Sequence, residues 1–435
     1  MLTFLGFAMV VAFMYLIMSK RMSALIALIL VPIIFALFGG FGPTIGPMML
    51  AGITKLAPTG VMLMFAILYF ALMIDSGLFD PAVRQILRWV KGDPMKVSVG
   101  TAVLALVVSL DGDGATTYMI CVAAMLPLYS RIGMSPRIMA GLIILAGGIM
   151  NMTPWGGPTA RAASALHVDA SDIFVPMIPA MCAGVVALLL IAYFYGKRER
   201  ARLGELHLHG DDADHSEISV SQFPDARRPK LIWFNGGLTL LLMIALIMGL
   251  LPLPVLFMIA FSIAMIINYP NLQDQKDRIA AHSGSVLAVV GLIFAAGIFT
   301  GILTGTGMVD AMSKSLLAVI PEAMGPYLAV ITALVSMPFT FFMSNDAFYY
   351  GVLPVLAEAA SHYGISAVEM ARASIVGQPV HLLSPLVPST YLLVALAGIE
   401  FGDHQRFTLK WAVLICLCIM VAALLMGIFP FYSSL

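Results

Sequence analysis

The sequence carries very little charge. Only 11% of its 435 residues are Asp, Glu, Lys or Arg, whereas 61% are hydrophobic, and the mean hydropathy is +0.99. A soluble domain carries about 25% charged residues, so this composition excludes a soluble globular protein and indicates an all-α membrane protein. The formal net charge is zero. It provides no attraction for nucleic acid, and we expect no nucleic-acid partner.

Cysteine is also scarce, and the chain start lacks the features of a signal peptide. The four cysteines lie in apolar runs without metal-ligand spacing, so we expect reduced thiols and no disulfide framework. Residues 1–18 have no basic leading region and no small-residue cleavage site, which predicts a retained first span. The cysteines are Cys121, Cys182, Cys416 and Cys418.

Long apolar runs that end at Gly, Pro or charge predict the membrane spans. A basic amphipathic stretch at 80–96 predicts a helix lying in the membrane interface. The predicted full spans cover 2–18, 22–40, 56–77, 172–195, 231–250, 252–268, 282–305 and 408–430.

Two apolar stretches carry polar residues in their middle. SLDGDGATT at 109–117 divides the stretch 97–130, and MSNDAFYY at 343–350 divides the stretch 326–361. Their arms are shorter than the roughly 20 helical residues that cross a ~30 Å hydrocarbon core, so each stretch predicts a re-entrant hairpin. A charge at the bilayer centre costs ~2.5–3.5 kcal/mol, which makes the tip residues functional candidates.

Two further apolar helices are interrupted. NMTPWGGPT at 151–159 breaks the helix 136–167, and GQPVHLLSPLVPST at 377–390 breaks the helix 366–398. Backbone groups at a break lack helical partners, and each orphan group in hydrocarbon costs several kcal/mol. Such breaks persist against protein, water or ligand, so we expect them to line a polar chamber at membrane depth.

The two halves of the chain correspond in sequence. SGLFD at 76–80 matches TGMVD at 306–310, a shift of 230, and Thr153-Pro154 matches Ser384-Pro385, a shift of 231. We predict a duplication with a first repeat at 1–195, a cytoplasmic linker at 196–230 and a second repeat at 231–435. Each repeat has five transmembrane helices and one re-entrant hairpin. Because five is odd, the second repeat is inverted, and the broken helices meet at the midplane.

The placement of Lys and Arg predicts the orientation. With the N-terminus outside, 19 of the 23 basic residues fall in cytoplasmic segments, whereas Lys55 and Lys314 fall outside. This arrangement places both termini outside. It also predicts that the first hairpin enters from the cytoplasm and the second from the opposite side.

The first break offers groups that bind anions. Gly156 and Gly157 introduce backbone NH groups at a helix start, and Arg161 follows one turn later. Helix N-termini attract anions, and an arginine fork pairs with a carboxylate through two hydrogen bonds. We therefore expect Arg161 to hold a ligand carboxylate or to form an internal ion pair with Asp111 or Asp113.

The aspartates of the two tips have several interpretations. Asp111 and Asp113 can bind a divalent cation through oxygen, carry protons with a burial-raised pKa, or balance Arg161. Asp346 at the second tip belongs with them as a candidate for metal or proton coupling. His381 either changes protonation near neutral pH or is a buried neutral histidine. The other substrate-binding candidates are Asn151, Thr153 and Thr159 in the first break, Ser344 and Asn345 in the second tip, and Gln378, Ser384, Ser389 and Thr390 in the second break.

At these residues the chain resembles the CitMHS family, the citrate and divalent metal:proton symporters of the ion transporter superfamily. The resemblance rests on VMLMFAILYFALMIDSGLFDP, VSLDGDGATTYMI and NMTPWGGPTARAASAL in the first half and on FMSNDAFYYGVLPVL in the second. It implies a bacterial inner-membrane carrier that imports citrate in complex with Mg²⁺, Ca²⁺ or a related cation, driven by protons. No permanently bound cofactor is implied.

Similarity to the superfamily's divalent anion:sodium symporters implies a homodimer in lipid with an elevator mechanism. Those relatives carry an SNT triplet at each tip, whereas this chain has SND and DGDG. The difference argues against a sodium site of the usual kind and favours a metal-bearing substrate or proton coupling. A metal-independent carrier of di- or tricarboxylates is the alternative.

An intramembrane aspartyl protease is a hypothesis from a different function class. Such a protease needs a GxGD motif, but Leu110 stands where the first glycine of that motif belongs, and we expect no enzyme.

Overall fold

The structure is a computed structural model that describes residues 1–90, 92–112, 114–203, 223–318 and 321–433. Within these ranges the chain is helical and contains no strand. Seven of the described helices are long and apolar enough to cross a membrane, and six shorter apolar helices accompany them. The chain is therefore an all-α, multi-pass membrane protein, as its composition predicts.

The first half contains nine helices among its described residues, and their order follows the predicted one. The stretch predicted as the first hairpin contains α5 and α6, and α6, at 19 residues, is itself one of the seven helices long enough to cross a membrane. The helix predicted as broken contains α7 and α8. The bounds are α1 Leu2–Met18, α2 Ala24–Phe38, α3 Ile45–Asp75, α4 Asp80–Val90, α5 Pro94–Val108, α6 Gly114–Ile132, α7 Pro136–Met150, α8 Gly157–Leu166 and α9 Ala170–Leu203.

The second half repeats this order of elements. The stretch predicted as the second hairpin contains α14, a π-helical segment Ala347–Val352 and α15, and the helical run Glu322–Phe342 that includes α14 is long enough to cross a membrane. The helix predicted as broken contains α16, a 3₁₀ turn, α17 and α18. The bounds are α10 Ile232–Ile247, α11 Leu253–Asn268, α12 Leu272–Gly305, α13 Met308–Leu317, α14 Leu328–Phe342, α15 Leu353–Ser361, α16 Ala367–Ser374, α17 Gln378–His381, α18 Pro388–Ala397 and α19 Phe401–Leu425.

Several helices extend beyond the apolar runs that predict them. The span predicted at 56–77 is part of α3, and the span predicted at 282–305 is the second part of α12. Helix α9 continues to Leu203, into the segment predicted as a linker, whereas residues 204–222 of that segment lie outside the described residues. Lys, Arg and Glu are good helix formers, so these helices continue past the apolar run into polar sequence.

The two long helices α3 and α12 cross antiparallel. Gly52 near the start of α3 meets Gly297 and Gly301 near the end of α12, and an added Cβ on Gly52 would lie 1.9 Å from the Gly297 carbonyl oxygen. Glycines spaced by four along α12 let the two backbones touch, as in other membrane helix pairs. An antiparallel crossing is the arrangement that an inverted repeat predicts for equivalent helices.

Equivalent helix ends share their local geometry. Gly77 and Gly307, one shift of 230 apart, both have left-handed φ, at +84° and +72°. His167 ends α8 with φ +57°, and Gly398 ends α18 with φ +64° at the position 231 residues later. A left-handed φ is strained for a residue with a Cβ, so His167 has the demanding conformation that glycine adopts easily in the other half.

Candidate functional site

The first break is held open by its own backbone and by one hydroxyl. Helix α7 ends at Met150 and α8 begins at Gly157. The Gly156 amide donates to the Thr153 carbonyl oxygen over 2.8 Å, and the Thr159 hydroxyl donates to the Met152 carbonyl oxygen over 2.9 Å. These bonds satisfy groups that a continuous helix would have paired.

Gly156 and Gly157 have tightly restricted surroundings. An added Cβ on Gly156 would lie 2.1 Å from the Asn151 carbonyl oxygen, so no larger residue fits there. An added Cβ on Gly157 would lie 2.7 Å from Nη1 of Arg161. The glycine at 157 therefore leaves room for the guanidinium, in addition to starting α8.

The second break uses the equivalent hydroxyls. Ser384 donates to the Phe341 carbonyl oxygen over 2.6 Å and accepts a hydrogen bond from the Leu386 amide. The Thr390 hydroxyl donates to the Leu382 carbonyl oxygen, as Thr159 does in the first half. The hydroxyl hydrogens of Thr159, Ser384 and Thr390 are thus used by the protein, and these groups meet a ligand only as hydrogen-bond acceptors.

The structure describes the side chains of the second tip but not the aspartate side chains of the first tip. At the first tip, Gly112 turns the chain with φ +77° after a short 3₁₀ segment. Asp113 and the side chain of Asp111 lie outside the described residues, so their roles stay predictions. At the second tip, the Ala347 amide donates to the Ser344 hydroxyl over 3.1 Å, which caps the segment that follows.

Arg161 of the first half pairs with Asp346 of the second. Nε of Arg161 lies 2.6 Å from Oδ1 of Asp346, and the two side chains are 22% and 16% exposed. The alternatives predicted for an internal partner were Asp111 and Asp113, whereas the partner found among the described residues is Asp346. The pair joins the first broken helix to the second hairpin, which are distant in sequence.

Three side-chain amides and one phenol form a second hydrogen-bonded group, which includes Asn345, the residue next to Asp346. Asn151 donates to Gln378 over 3.1 Å, and the buried amide of Gln378 donates to the Tyr349 hydroxyl over 3.0 Å. The Gln378 amide also lies 3.4 Å from the Asn345 side-chain oxygen. The predicted candidates Asn151, Asn345 and Gln378 therefore meet in space, together with Tyr349, which was not predicted.

His381 has the geometry of a buried structural histidine. Its side chain is 7% exposed, and Nδ1 lies 2.7 Å from the carbonyl oxygen of Thr340. A nitrogen in this position donates, since a carbonyl oxygen only accepts. The buried neutral histidine is thus the interpretation that the contacts favour.

Two cavities adjoin these residues. The larger, about 730 Å³, is lined by Gly112, Trp155, Gly157 and Arg161 on one side and by α3 and α12 on the other. The smaller, about 150 Å³, lies between the first tip and both breaks, where Ser109, Asn151 and Ser389 line it. The larger volume lies within the usual 300–1,000 Å³ range of small-molecule sites.

Two hydroxyls of the first tip and the first break lack partners, and Ser109 lines the smaller cavity. The Ser109 and Thr153 hydroxyls are buried and have no hydrogen-bond partner among the described residues. Buried polar groups normally have partners, so such groups need a ligand or water. No group of three or more His, Cys, Asp or Glu residues that could hold a metal occurs in the described part of the chain.

The sequence interpretation missed a charged cluster in the wall of the larger cavity. Asp75, at the end of α3, lies against Arg278 and His282 of α12, and Asp75 and His282 line the cavity. A signal was present, because Asp75 interrupts the apolar run predicted as the span 56–77, and an ionisable residue inside a span is a functional candidate.

Comparisons with known proteins agree with this architecture. The family model described as CitMHS, citrate transporter, matches residues 13–377. A Bacillus subtilis (strain 168) protein named citrate transporter is 62% identical, covering 99% of this chain and 100% of its own. A second from the same organism, named Mg(2+)/citrate complex secondary transporter, is 57% identical, covering 98% of this chain and 99% of its own.

Two solved transporter structures share the fold at low sequence identity. The YdaH transporter of Alcanivorax borkumensis has a TM-score of 0.55 and 16% identity, and the match covers 88% of each chain. MtrF of Neisseria gonorrhoeae has a TM-score of 0.61 and 15% identity, with coverage of 89% of this chain and 84% of its own. The family match, the close relatives and the shared fold together establish that this chain is a member of the CitMHS family of citrate transporters.

Proposed function

We propose that this protein is a secondary active transporter that imports citrate in complex with a divalent metal ion, by proton symport. The relative named for the Mg(2+)/citrate complex supports the metal-bearing substrate. The observation that carries the proposal is the Arg161–Asp346 pair, a guanidinium and a carboxylate 2.6 Å apart at the wall of a large cavity.

Arg161 is the group that holds a carboxylate of the substrate. Its pairing with Asp346 demonstrates that a carboxylate fits against this guanidinium, and Gly157 leaves the space for it. A substrate carboxylate that reaches Arg161 competes with Asp346. Asp346 is then released to face the cation of the complex or to accept a proton, together with Asp111 and Asp113.

The polar groups around this pair orient the rest of the substrate. The amides of Asn151, Asn345 and Gln378 form one connected chain, and Thr153 has an unpaired hydroxyl. Citrate carries a hydroxyl and three carboxylates, so it offers both acceptors and a donor to such a chain. Gly156, Thr159, Ser344, His381, Ser384, Ser389 and Thr390 shape the two breaks and the second tip around it.

The transport cycle we propose is an elevator motion in a homodimer in the bacterial inner membrane, with both termini outside. The antiparallel crossing of α3 and α12 and the repeated order of elements support an inverted repeat at 1–195 and 231–435. In this arrangement α3 and α12 belong to the static part of each subunit, and the hairpins with the broken helices carry the substrate.

Uptake of labelled citrate into proteoliposomes tests the proposal. An inwardly directed proton gradient combined with Mg²⁺ or Ca²⁺ should give accumulation, and omission of either should abolish it. Equal uptake with and without divalent cation would instead establish the metal-independent carboxylate carrier. Competition by succinate and related acids then defines how narrowly that carrier selects citrate.

A further inference from the structure

A buried carboxylate lies in the cavity wall formed by the two long helices. Asp75 is 2% exposed, and its Oδ2 atom lies 3.2 Å from Nη1 of Arg278 and 2.8 Å from Nε2 of His282. The two partners are one turn apart on α12, so they reach the same oxygen from one side. His282 is 21% exposed and lines the cavity that Arg161 also lines.

The fold does not need charge at this position. A shift of 230, which relates SGLFD to TGMVD, maps Met48 onto Arg278, Gly52 onto His282 and Asp75 onto Gly305. At that other end of the same helix pair, an added Cβ on Gly305 would lie 2.7 Å from Cγ of Met48. Close apolar packing thus holds one end of the crossing, and the charged cluster is confined to the cavity end.

The surrounding charges are paired. Phe223 stacks on Arg278 with 4.5 Å between the guanidinium carbon and the ring centroid, and its edge faces His282. Arg228 lies 3.8 Å from Asp274 and covers the ring of Tyr269. Burial raises the pKa of Tyr269 to about 12, so this phenol stays neutral.

A further ion pair nearby joins Arg227 to Asp80 over 3.1 Å. Asp75 is paired with Arg278, and His282 is the histidine of this cluster. Histidine is the residue type whose ordinary chemistry includes proton exchange near neutral pH. Its exposed edge gives the proton a route to the cavity.

We propose that His282, held by Asp75, is a proton-binding site in the cavity wall, and that its protonation is linked to the binding of an anionic substrate at Arg161. The inference rests on the proposed function for the identity of that substrate. A proton on His282 adds positive charge to the cavity that receives the anion. By thermodynamic reciprocity, binding of the anion then raises the affinity of His282 for the proton by the same factor. This site is built from residues of α3 and α12 and includes none of the aspartates of the two tips.

Calorimetry of the purified full-length chain tests the linkage. Binding of citrate with saturating Mg²⁺ is measured at one pH in buffers of different ionisation enthalpy, which gives the number of protons taken up per bound substrate. We expect uptake by the wild type. We expect His282→Gln to lose about half of it or more, since an amide does not titrate near neutral pH. Gln retains a donor for Asp75 and leaves the Asp75–Arg278 pair intact.

Ser285→Ala, in the same cavity wall three residues along α12, is the matched control and should keep the wild-type proton number. His282→Asn provides a second variant if His282→Gln does not fold. Wild-type proton uptake in a folded, citrate-binding His282 variant would overturn the inference, as would citrate binding to the wild type without proton uptake. Absence of citrate binding to the wild type would instead defeat the proposed function.

Discussion

Nε of Arg161 lies 2.6 Å from Oδ1 of Asp346, and this contact joins the first broken helix to the second hairpin. The two residues come from different halves of the chain, so the pair forms only when the halves are assembled. An ion pair that is partly buried at a cavity wall is both a structural link and an exchangeable site for a carboxylate. Substitutions at the pair and around it separate these roles.

Arg161→Lys tests the role of the planar guanidinium group. Lysine keeps the charge but loses the parallel donors, so we expect citrate uptake to fall by about 10- to 100-fold, equivalent to roughly 1.4–2.8 kcal/mol. Uptake into proteoliposomes is the measurement. Arg137→Lys, whose exposed pair with Asp403 spans 3.8 Å, should transport as the wild type does. Citrate uptake by Arg161→Lys equal to that of the wild type would mean that the guanidinium group does not hold the substrate.

Thr159→Val tests the hydroxyl whose hydrogen bond stabilises the first break. The variant leaves the buried Met152 carbonyl oxygen without the hydrogen bond that Thr159 donates, and we expect a stability loss of about 1–3 kcal/mol. Thermal unfolding in detergent measures it. Thr159→Ser retains the hydroxyl and should recover most of the loss. A fully stable Thr159→Val protein would mean that the break is held by other contacts.

Gly301→Ala tests the helix crossing. The added Cβ would lie 2.4 Å from the Met48 carbonyl oxygen of α3, and we expect α3 and α12 to be forced apart at a cost of about 1–3 kcal/mol. Gly284→Ala is on the same helix, where an added Cβ meets nothing within 4 Å, and should be neutral. Similar melting temperatures for the two variants would contradict the close crossing.

His381→Asn tests whether the buried histidine carries a proton during transport. Because His381 is buried and a charge is costly to bury without an ionic partner, we expect the shape of the pH profile of citrate uptake to match the wild type, even if the rate falls. Initial rates between pH 5 and 8 provide the measurement. A displaced profile would identify His381 as a coupling residue.

Much of the fold follows from the sequence because hydrophobic length and helix breakers act locally. The break at NMTPWGGPT is visible because two prolines and two glycines within five residues cannot continue a helix together, and the structure interrupts the helix between Met150 and Gly157. The charge patterns at Arg161 and Asp346 likewise indicate a site. What the sequence does not encode locally is which residues meet.

The partner of Arg161 is an example. The sequence offers Asp111 or Asp113 of the same half as internal partners, whereas the partner among the described residues, Asp346, is 185 residues away. The cluster at Asp75 was missed for the same reason, because its partners follow 203 and 207 residues later. Such pairings depend on how two helices cross, and the crossing is set by glycines that leave only a weak pattern in the sequence.

The two ends of the α3–α12 pair are unlike. Two separate identical polypeptides that cross antiparallel must present the same residues at both ends of the crossing. Here both helices belong to one polypeptide, and one end has Met48 against Gly305 while the other has Asp75 against Arg278. The pair therefore carries a directional feature that a symmetric pair of identical subunits could not hold.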